Sequence, residues 1–208
     1  IDFDQKDIDR DYEVGAIVIA TGTDVFDATT LPEYGYGKYP DVLTSLEFER
    51  LSSAGGPTGG HITKISDGEE PKDVVFIHCV GSRDKAVGNE YCSRVCCMFI
   101  IKQAHLLKDK MPDTKVTSYY MDIRAYGKGF EEFYDRVRDE GVMFKRGKPS
   151  EIFKRKGKLV VRVDDTLLGK VIEHETDMVV LGVGLVPSEG YRELAQTLKL
   201  SLSSDRFF

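Results

Sequence analysis

The sequence predicts an α/β protein with a Rossmann-like, three-layer domain made of a central parallel sheet, helices and a small antiparallel meander. Two observations carry this prediction. Apolar, β-branched runs alternate with helical segments, which is typical of a parallel sheet covered by helices. Several short strand-like runs with tight turns then follow, and they end in the buried run "DMVVLGVG". The chain has 208 residues, of which 41% are hydrophobic and 31% charged, as in an ordinary globular protein.

The first 81 residues contain two predicted strands and one predicted helix. The apolar runs "YEVGAIVIATG" (12–22) and "DVVFIHCVG" (73–81) both end at glycine, and we interpret each as a buried strand. The segment "TSLEFERLSSAGG" (44–56) begins with a Thr-Ser pair that can cap a helix and ends with a Gly-Gly pair that stops one. The remaining stretches are rich in turn residues and are interpreted as loops.

The rest of the chain continues the alternation. A long helix is predicted over 91–110, before Pro112, and an amphipathic helix over 129–141, where Gly141 is a good C-terminal stop. The strands "KVTSYYMDI" and "VMFKRG" follow these two helices. The region 150–184 predicts antiparallel strands that end in the buried return strand, and "EGYRELAQTLKL" predicts a last helix.

Charge and hydropathy exclude two classes of partner. The net charge of −6 and the pI near 5.3 argue against nucleic acid, which requires a basic surface. No apolar run approaches the roughly 20 residues that span a bilayer, and no charged-then-apolar leader opens the chain. We therefore expect a cytoplasmic protein without a membrane span.

We expect the chain to be a piece of a larger protein, because it has no initiating Met and stops just after its last helix. Two similar segments, "VIATGTDV" and "VVLGVGLVPS", bracket the central part and predict an inserted domain. We assign 1–25 to strands flanking a neighbouring domain and 26–72 to a connecting helix and loops. The degenerate nucleotide-binding-like domain is 73–183, and 184–208 returns to the neighbour.

All four cysteines lie in "HCVGSRDKAVGNEYCSRVCCMF" (78–99), where a dinucleotide-binding domain has its glycine-rich phosphate turn. "CVGSRD" lacks the G-x-G-x-x-G pattern. Cys79 is expected at the end of a strand, and the other three cysteines in the first turns of the next helix, with Cys92 and Cys96 on one face. Four thiolates from a strand end and a helix start are able to enclose one metal centre.

Several interpretations of the cysteines stay open on spacing alone. An anionic [4Fe–4S] cluster suits the positive helix end, and Arg83, Lys85 and Arg94 add cationic charge. Four cysteines also suit a closed zinc site, while Cys92–Cys96 or Cys96–Cys97 would make a redox pair. Burial as small core residues explains any one cysteine. The adjacent His78 either tunes a cluster or is a hydrogen-bonded core histidine.

Longer motifs add a family resemblance over nearly the whole chain. "HCVGSRD", "YCSRVCCMFIIKQA" and "YYMDIRAYGKGFEEFY" together resemble the A-subunit family of heterodisulfide reductase. "ATG" and "GVGLVP" resemble the flavin disulfide reductase plan, as in thioredoxin reductase.

The resemblance implies an oxidoreductase flavoprotein that binds FAD and carries iron–sulfur clusters. It implies electron transfer among subunits of a heterodisulfide reductase-like or hydrogenase/dehydrogenase complex. It also implies a [4Fe–4S] cluster held by Cys79, Cys92, Cys96 and Cys97, with Thr21, Gly22 and Gly184 at the edge of the flavin site.

Two departures from the flavoprotein pattern limit what the chain does alone. The glycine-rich FAD pyrophosphate loop is missing, and Val25 stands where flavin reductases often have proline. We therefore expect that the chain by itself retains no FAD, binds NAD(P)H weakly or not at all, and is inactive, with no catalytic acid, base or nucleophile. A scaffold module and a working NAD(P)H-binding domain remain the alternatives. We also expect that, without a cluster, nothing holds the loop from Arg83 to Glu90 in place.

Overall fold

The computed structural model describes residues 3–208 and has a five-stranded sheet at its centre. The sheet has the order β2-β9-β3-β4-β5, and every neighbouring pair in it is parallel. Its strands are β2 (Val42–Thr44), β3 (Asp73–Val80), β4 (Lys115–Tyr120), β5 (Met143–Arg146) and β9 (Met178–Val183). The segment 26–72 thus contributes an edge strand to the sheet, through β2.

Helices cover one face of the sheet. They are α1 (Ser45–Ser52), α2 (Cys96–Lys110) and α3 (Phe130–Asp139), with α4 (Tyr191–Leu198) near the end of the chain. Thr44 and Glu47 form a capping box at the start of α1, as the Thr-Ser pair predicted. Phe76 on β3 packs with Phe48 on α1 and Ile100 on α2 in a buried cluster. This cluster joins the helical layer to the sheet.

An antiparallel meander covers the other face. Its strands are β6 (Pro149–Arg155), β7 (Lys158–Asp165) and β8 (Lys170–Thr176). Ile77 on β3 and Leu181 on β9 pack against Ile152 and Val161 of the meander. The predicted fold class, a three-layer Rossmann-like domain with a parallel sheet, helices and a meander, is therefore confirmed.

A two-stranded ribbon joins the two bracketing segments. β1 (Thr23–Val25) pairs antiparallel with β10 (Leu185–Pro187), and the backbone N–H of Phe26 continues the pairing to the carbonyl of Gly184 at 2.8 Å. The two similar segments thus meet in space.

The strand predicted over 12–22 is wrong. That segment has no regular structure, and its apolar side chains face solvent, with Ile17 62% and Val18 89% exposed. A strand needs a neighbour to satisfy its backbone groups and cover its side chains. Among residues 3–208, none pairs with this run. No helix in the same range is both long and apolar enough to cross a bilayer.

Candidate metal centre

Cys79 lies at an irregularity in β3. Ile77 pairs with Leu181 and Val80 pairs with Val183, so β3 has one residue more than β9 between these pairs. The extra residue lets Ile77 and Val80 face the meander together, although they are three positions apart. Cys79 adopts a left-handed backbone with φ of 60° and is buried. The strand therefore ends in a bulge that carries the first cysteine.

A short hairpin follows the bulge. The backbones of Asp84 and Asn89 exchange hydrogen bonds of 2.8 and 3.0 Å, and the Asn89 side-chain amide donates to the carbonyl of Gly81 at 3.0 Å. The N–H of Arg83 donates to the carbonyl of Tyr91 at 2.9 Å. We expected that only a cluster would hold this loop in place. That expectation is wrong, because the loop's own hydrogen bonds hold it.

Cys92 lies in a turn, outside the helix. Arg94 has a φ of 67°, which ends any helix before it, and its N–H points at the Cys92 sulfur at 3.3 Å. The hydroxyls of Ser82 and Ser93 are 3.1 Å apart, and the N–H of Leu185 donates to Ser93 at 2.9 Å. The prediction that Cys92 shares a helix face with Cys96 is wrong, because this turn delays the start of α2.

Cys96 and Cys97 are the first two residues of α2, and both are buried. No side chain caps this helix end, and the positive end of the helix dipole lies at these two cysteines. The Cys96 thiol lies 3.7 Å from the carbonyl oxygen of Val183, and the Cys97 thiol lies 3.9 Å from that of Asp122. These contacts fix both sulfurs at the carboxyl edge of the sheet.

The four thiols are close enough to perturb one another. Burial raises the pKa of Cys79 to about 11, and the Cys97 and Cys92 thiols add to the shift while Arg83 opposes it. Burial also raises the pKa of Cys96 to about 12, and the other three thiols reinforce that shift. The pKa of Cys97 is likewise raised by burial, with Cys92 contributing and the backbone N–H of Arg124 opposing. The cysteines therefore form one group, with Cys92 the only one that is not buried.

Charged residues surround this group. Asp122 accepts a hydrogen bond from Arg83 and lies 3.4 Å from Arg124. The guanidinium of Arg94 lies 5.2 Å from the ring centroid of Tyr126. Lys85, which was expected to add charge, is largely exposed and lies 3.8 Å from Glu90. Arginines therefore supply the positive charge nearest the sulfurs, partly balanced by Asp122.

The residues predicted at the flavin edge lie along the β1–β10 ribbon. Thr21 and Gly22 are exposed and lie just before β1. Gly184 lies at the other end of the ribbon, where its N–H donates to the carbonyl of Val80 at 2.8 Å. A side chain at Gly184 would come within 2.8 Å of the Cβ of Ser82. The structure thus packs Gly184 against the cysteine-bearing loop.

A single-ion site and a four-iron cluster require different spacings of their sulfur ligands. Across residues 3–208, no group of three or more His, Cys, Asp or Glu side chains is arranged to hold one metal ion. A zinc ion draws its four sulfurs to about 2.3 Å from one point. A four-iron cubane binds each thiolate at a different iron atom and so leaves the four sulfurs farther apart.

Comparisons with known proteins show which proteins the chain resembles. The chain is 59% identical over 206 residues to the A-subunit of the H(2):CoB-CoM heterodisulfide,ferredoxin reductase of Methanothermobacter thermautotrophicus, a match that covers 98% of the chain and 31% of the relative. It is 52% identical to the first iron-sulfur A-subunit of CoB–CoM heterodisulfide reductase of Methanopyrus kandleri, over 100% of the chain and 32% of the relative. Over its whole length, this chain is similar to A-subunits of heterodisulfide reductase.

The chain spans about a third of the length of these family members. No protein-family model matches it. Among solved structures, thioredoxin reductase of T. acidophilum superposes with a TM-score of 0.45 at 19% identity, over 80% of this chain and 43% of that one. The fold class rests on the strand order described above.

The donor set fits a family iron–sulfur cluster on two observations. Four thiols from a strand end, a turn and a helix start form one group beside an uncapped helix N-terminus. Next to Cys79, the buried ring nitrogen Nδ1 of His78 has no hydrogen-bond partner among the described residues. Burial lowers the pKa of His78 to about 3.

The residues that hold the cysteine loop in place were not predicted from the sequence. Four side chains hold the cysteine loop through hydrogen bonds: Ser82 bonds to the backbones of Tyr91 and Ser93, Asn89 to the carbonyl of Gly81, and Tyr91 and Ser93 to the backbone of Leu185. The signal that points to them is weak: short polar residues between Gly81 and the helix, which are typical of any turn.

Proposed function

We propose that this chain is an electron-relay domain that binds one [4Fe–4S] cluster through Cys79, Cys92, Cys96 and Cys97. When bound, such a cluster accepts and releases single electrons. The observation that carries the proposal is the mutual proximity of four thiols, three of them buried, at a helix start whose N–H groups no side chain caps.

The surrounding residues have distinct roles in this proposal. The bulge buries Cys79 at the end of β3, where the Cys97 and Cys92 thiols help to raise its pKa. Arg83 and the N-terminus of α2 offset the negative charge that four thiolates bring into a buried place. These features favour a ligated, anionic centre over four free thiols.

We further propose that the chain works within a longer polypeptide of an oxidoreductase complex. The curated relatives are named as subunits of heterodisulfide reductases, and one, from Methanosarcina acetivorans, as ferredoxin/F(420)H(2)-dependent. The proposal is that FAD binds to a neighbouring domain, with Thr21, Gly22 and Gly184 near its edge. Residues 1–25 and 184–208 would lead toward that domain. The pairing of β1 with β10 supports this division, because it brings both bracketing segments together.

The partners proposed for the whole protein are the other subunits of a cytoplasmic heterodisulfide reductase-like or hydrogenase/dehydrogenase complex. The chain would relay electrons between the flavin and the iron–sulfur clusters of that complex. Its own residues provide no acid, base or nucleophile for the reaction, and the chain alone is expected to be inactive.

Anaerobic reconstitution with iron and sulfide tests the proposal. We expect close to four irons and four sulfides per chain, as for a cubane, together with visible absorption that bleaches on reduction. Each of the four Cys→Ala variants should lose most of the iron. His61→Ala, an exposed histidine far from the cysteines in sequence, is the matched control and should retain it.

Three results would overturn the proposal. Stoichiometric zinc with no capacity for iron would indicate a structural site. A well-folded chain that binds neither metal would favour the scaffold alternative. Full iron loading of Cys79→Ala would show that the single-cluster ligand set is wrong, because Cys79 is the ligand remote from the other three in sequence.

A further inference from the structure

His78 is a buried polar residue with half of its hydrogen-bonding capacity unused. It lies on β3 directly before Cys79 and is 3% exposed. Its Nε2 atom lies 2.7 Å from the hydroxyl oxygen of Ser118 on β4. Its Nδ1 atom has no partner within residues 3–208. The contact with Ser118 accounts for one ring nitrogen and leaves the other unexplained.

The ring faces the layer that carries the last two cysteines. Phe76, two residues earlier on β3, packs against the helices, and so does Val116, two residues before Ser118 on β4. The side chains of His78 and Ser118 therefore project from the same face of the sheet. The helix α2 lies on this face and begins at Cys96 and Cys97.

The chemistry of the neutral ring determines what Nδ1 needs. One ring nitrogen carries hydrogen and the other accepts. If the Ser118 hydroxyl donates to Nε2, the hydrogen is on Nδ1, which then requires an acceptor. If Nε2 donates instead, both Nδ1 and the Ser118 hydroxyl hydrogen are left unpaired. The first arrangement leaves fewer buried groups unpaired and makes Nδ1–H a donor without an acceptor.

We propose that Nδ1–H of His78 donates a hydrogen bond to a sulfur atom of the [4Fe–4S] cluster, with Ser118 holding the ring in the required tautomer. This inference rests on the proposed function, because it needs the cluster. A cluster sulfur beside Cys79 supplies the acceptor that the protein lacks. An N–H···S bond is stronger with the more negative, reduced cluster, so it raises the reduction potential.

Three substitutions separate this role from packing. His78→Leu fills the space and removes both nitrogens. His78→Asn retains a donor, because its side-chain nitrogen is two bonds from Cβ, as Nδ1 is. His78→Gln places its nitrogen one bond farther, as Nε2 is, and so preserves the contact with Ser118 alone. The matched control is Gln103→Leu, since Gln103 is also buried on this side and has an unpaired oxygen, Oε1, but lies farther along α2.

The experiment is a redox titration of the reconstituted chain, followed by electron paramagnetic resonance. We expect His78→Leu and His78→Gln to bind a full complement of iron and to shift the potential in the negative direction. The potential of His78→Asn should lie between those of wild type and His78→Leu. Gln103→Leu should have the wild-type potential. Pulsed resonance on chain labelled with ¹⁵N-histidine should show nitrogen coupled to the reduced cluster in wild type and not in His78→Leu.

The outcomes distinguish this inference from the proposed function. An iron-loaded wild type whose potential is unchanged in His78→Leu, or whose spectrum lacks nitrogen coupling, would overturn the role of His78 and leave the cluster intact. Equal shifts of the reduction potential in His78→Asn and His78→Gln would also overturn it, because they would indicate that altered packing or a buried water causes the shift. A wild type without iron would overturn both.

Discussion

The ring of Phe207 meets the ring of Tyr91 edge to face, with centroids 5.6 Å apart. Next to it, the guanidinium of Arg206 donates to the side-chain oxygen of Asn89. Tyr91 and Asn89 both belong to the loop between the first and second cysteines, and the Tyr91 hydroxyl also donates to the carbonyl of Leu185 at 2.8 Å. A segment more than 100 residues away in sequence therefore holds the cysteine loop in place.

Replacing Phe207 with alanine should loosen this loop. We expect a loss of about 1 kcal/mol in the free energy of unfolding, the usual value of an aromatic pair beyond its buried area. Amide hydrogen exchange over 83–91 should become faster, while exchange in the sheet core is unchanged. Phe208→Ala is the control, because Phe208 is 46% exposed. Equal effects of the two substitutions would show that Phe207 does not hold the loop.

The metal-free chain should react with thiol reagents at one cysteine before the others. Cys79 and Cys96 have pKa values raised to about 11 and 12, so at pH 8 about one in a thousand of these thiols or fewer is the reactive thiolate. Cys92 is the cysteine that solvent reaches. Iodoacetamide at pH 8 should therefore label Cys92 first, as measured by peptide mass spectrometry.

Raising the pH to 9 should leave the order of labelling unchanged, because the pKa values of Cys79 and Cys96 still lie above it. In urea all four cysteines should react at similar rates. Labelling of Cys96 as fast as Cys92 in the folded chain would contradict the buried arrangement.

NADH and NADPH should show no saturable binding to the chain. A dinucleotide pyrophosphate needs free N–H groups at the turn after the first strand. Here the N–H groups of Ser82, Arg83 and Asp84 donate to the carbonyls of Cys79, Tyr91 and Asn89, respectively. Calorimetry should give no heat that saturates below about 1 mM. Repetition at high salt removes non-specific ionic binding, and micromolar affinity under both conditions would refute the prediction.

Asp177 should stabilise the fold at neutral pH and lose that effect in acid. Its carboxylate accepts the N–H groups of Lys72 and Asp73 at 2.9 and 3.1 Å and lies 3.4 Å from Lys158. Burial raises its pKa, but these hydrogen bonds and the Lys158 charge outweigh burial and lower the pKa below 3.8. A lowered folded-state pKa gives stability that is complete above the unfolded pKa and disappears as pH falls through the folded value.

Urea unfolding measures this effect. Asp177→Ala should cost about 1.5 to 3 kcal/mol at pH 7, the usual loss for hydrogen bonds to a charged group, and progressively less below pH 4. Asp9→Ala, on the exposed N-terminal segment, should have no effect at either pH. A cost for Asp177→Ala that is the same at pH 7 and pH 3 would show that the carboxylate charge is not involved.

From β3 to β9 the order of strands and helices followed from local pattern, and so did the start of α1. Periodicity and capping involve residues a few positions apart, so they can be identified without knowing the fold. The capping box of Thr44 and Glu47 spans three positions. The grouping of all cysteines within one strand–loop–helix unit is also local, which is why the candidate site could be predicted to that level.

Other features depend on partners that are distant in sequence. The run 12–22 has the composition of a buried strand, yet burial requires a neighbouring strand, and residues 3–208 provide none for it. Cys92 lies outside the predicted helix because the Ser93 hydroxyl is hydrogen-bonded to Ser82 and to Leu185, which lies 92 residues away. Periodicity contains no information about such contacts.

The hydrogen bonding of His78 also depends on tertiary structure. Its sequence position beside Cys79 indicated two roles, a cluster-tuning residue or a hydrogen-bonded core histidine. Only the packing of β4 against β3 brings Ser118, 40 residues away, to Nε2 and leaves Nδ1 without a partner among the described residues. Hydrogen bonding is directional and short-ranged, so which polar atoms of a buried ring are satisfied is decided by tertiary structure, whereas the sequence determines only that the ring is there.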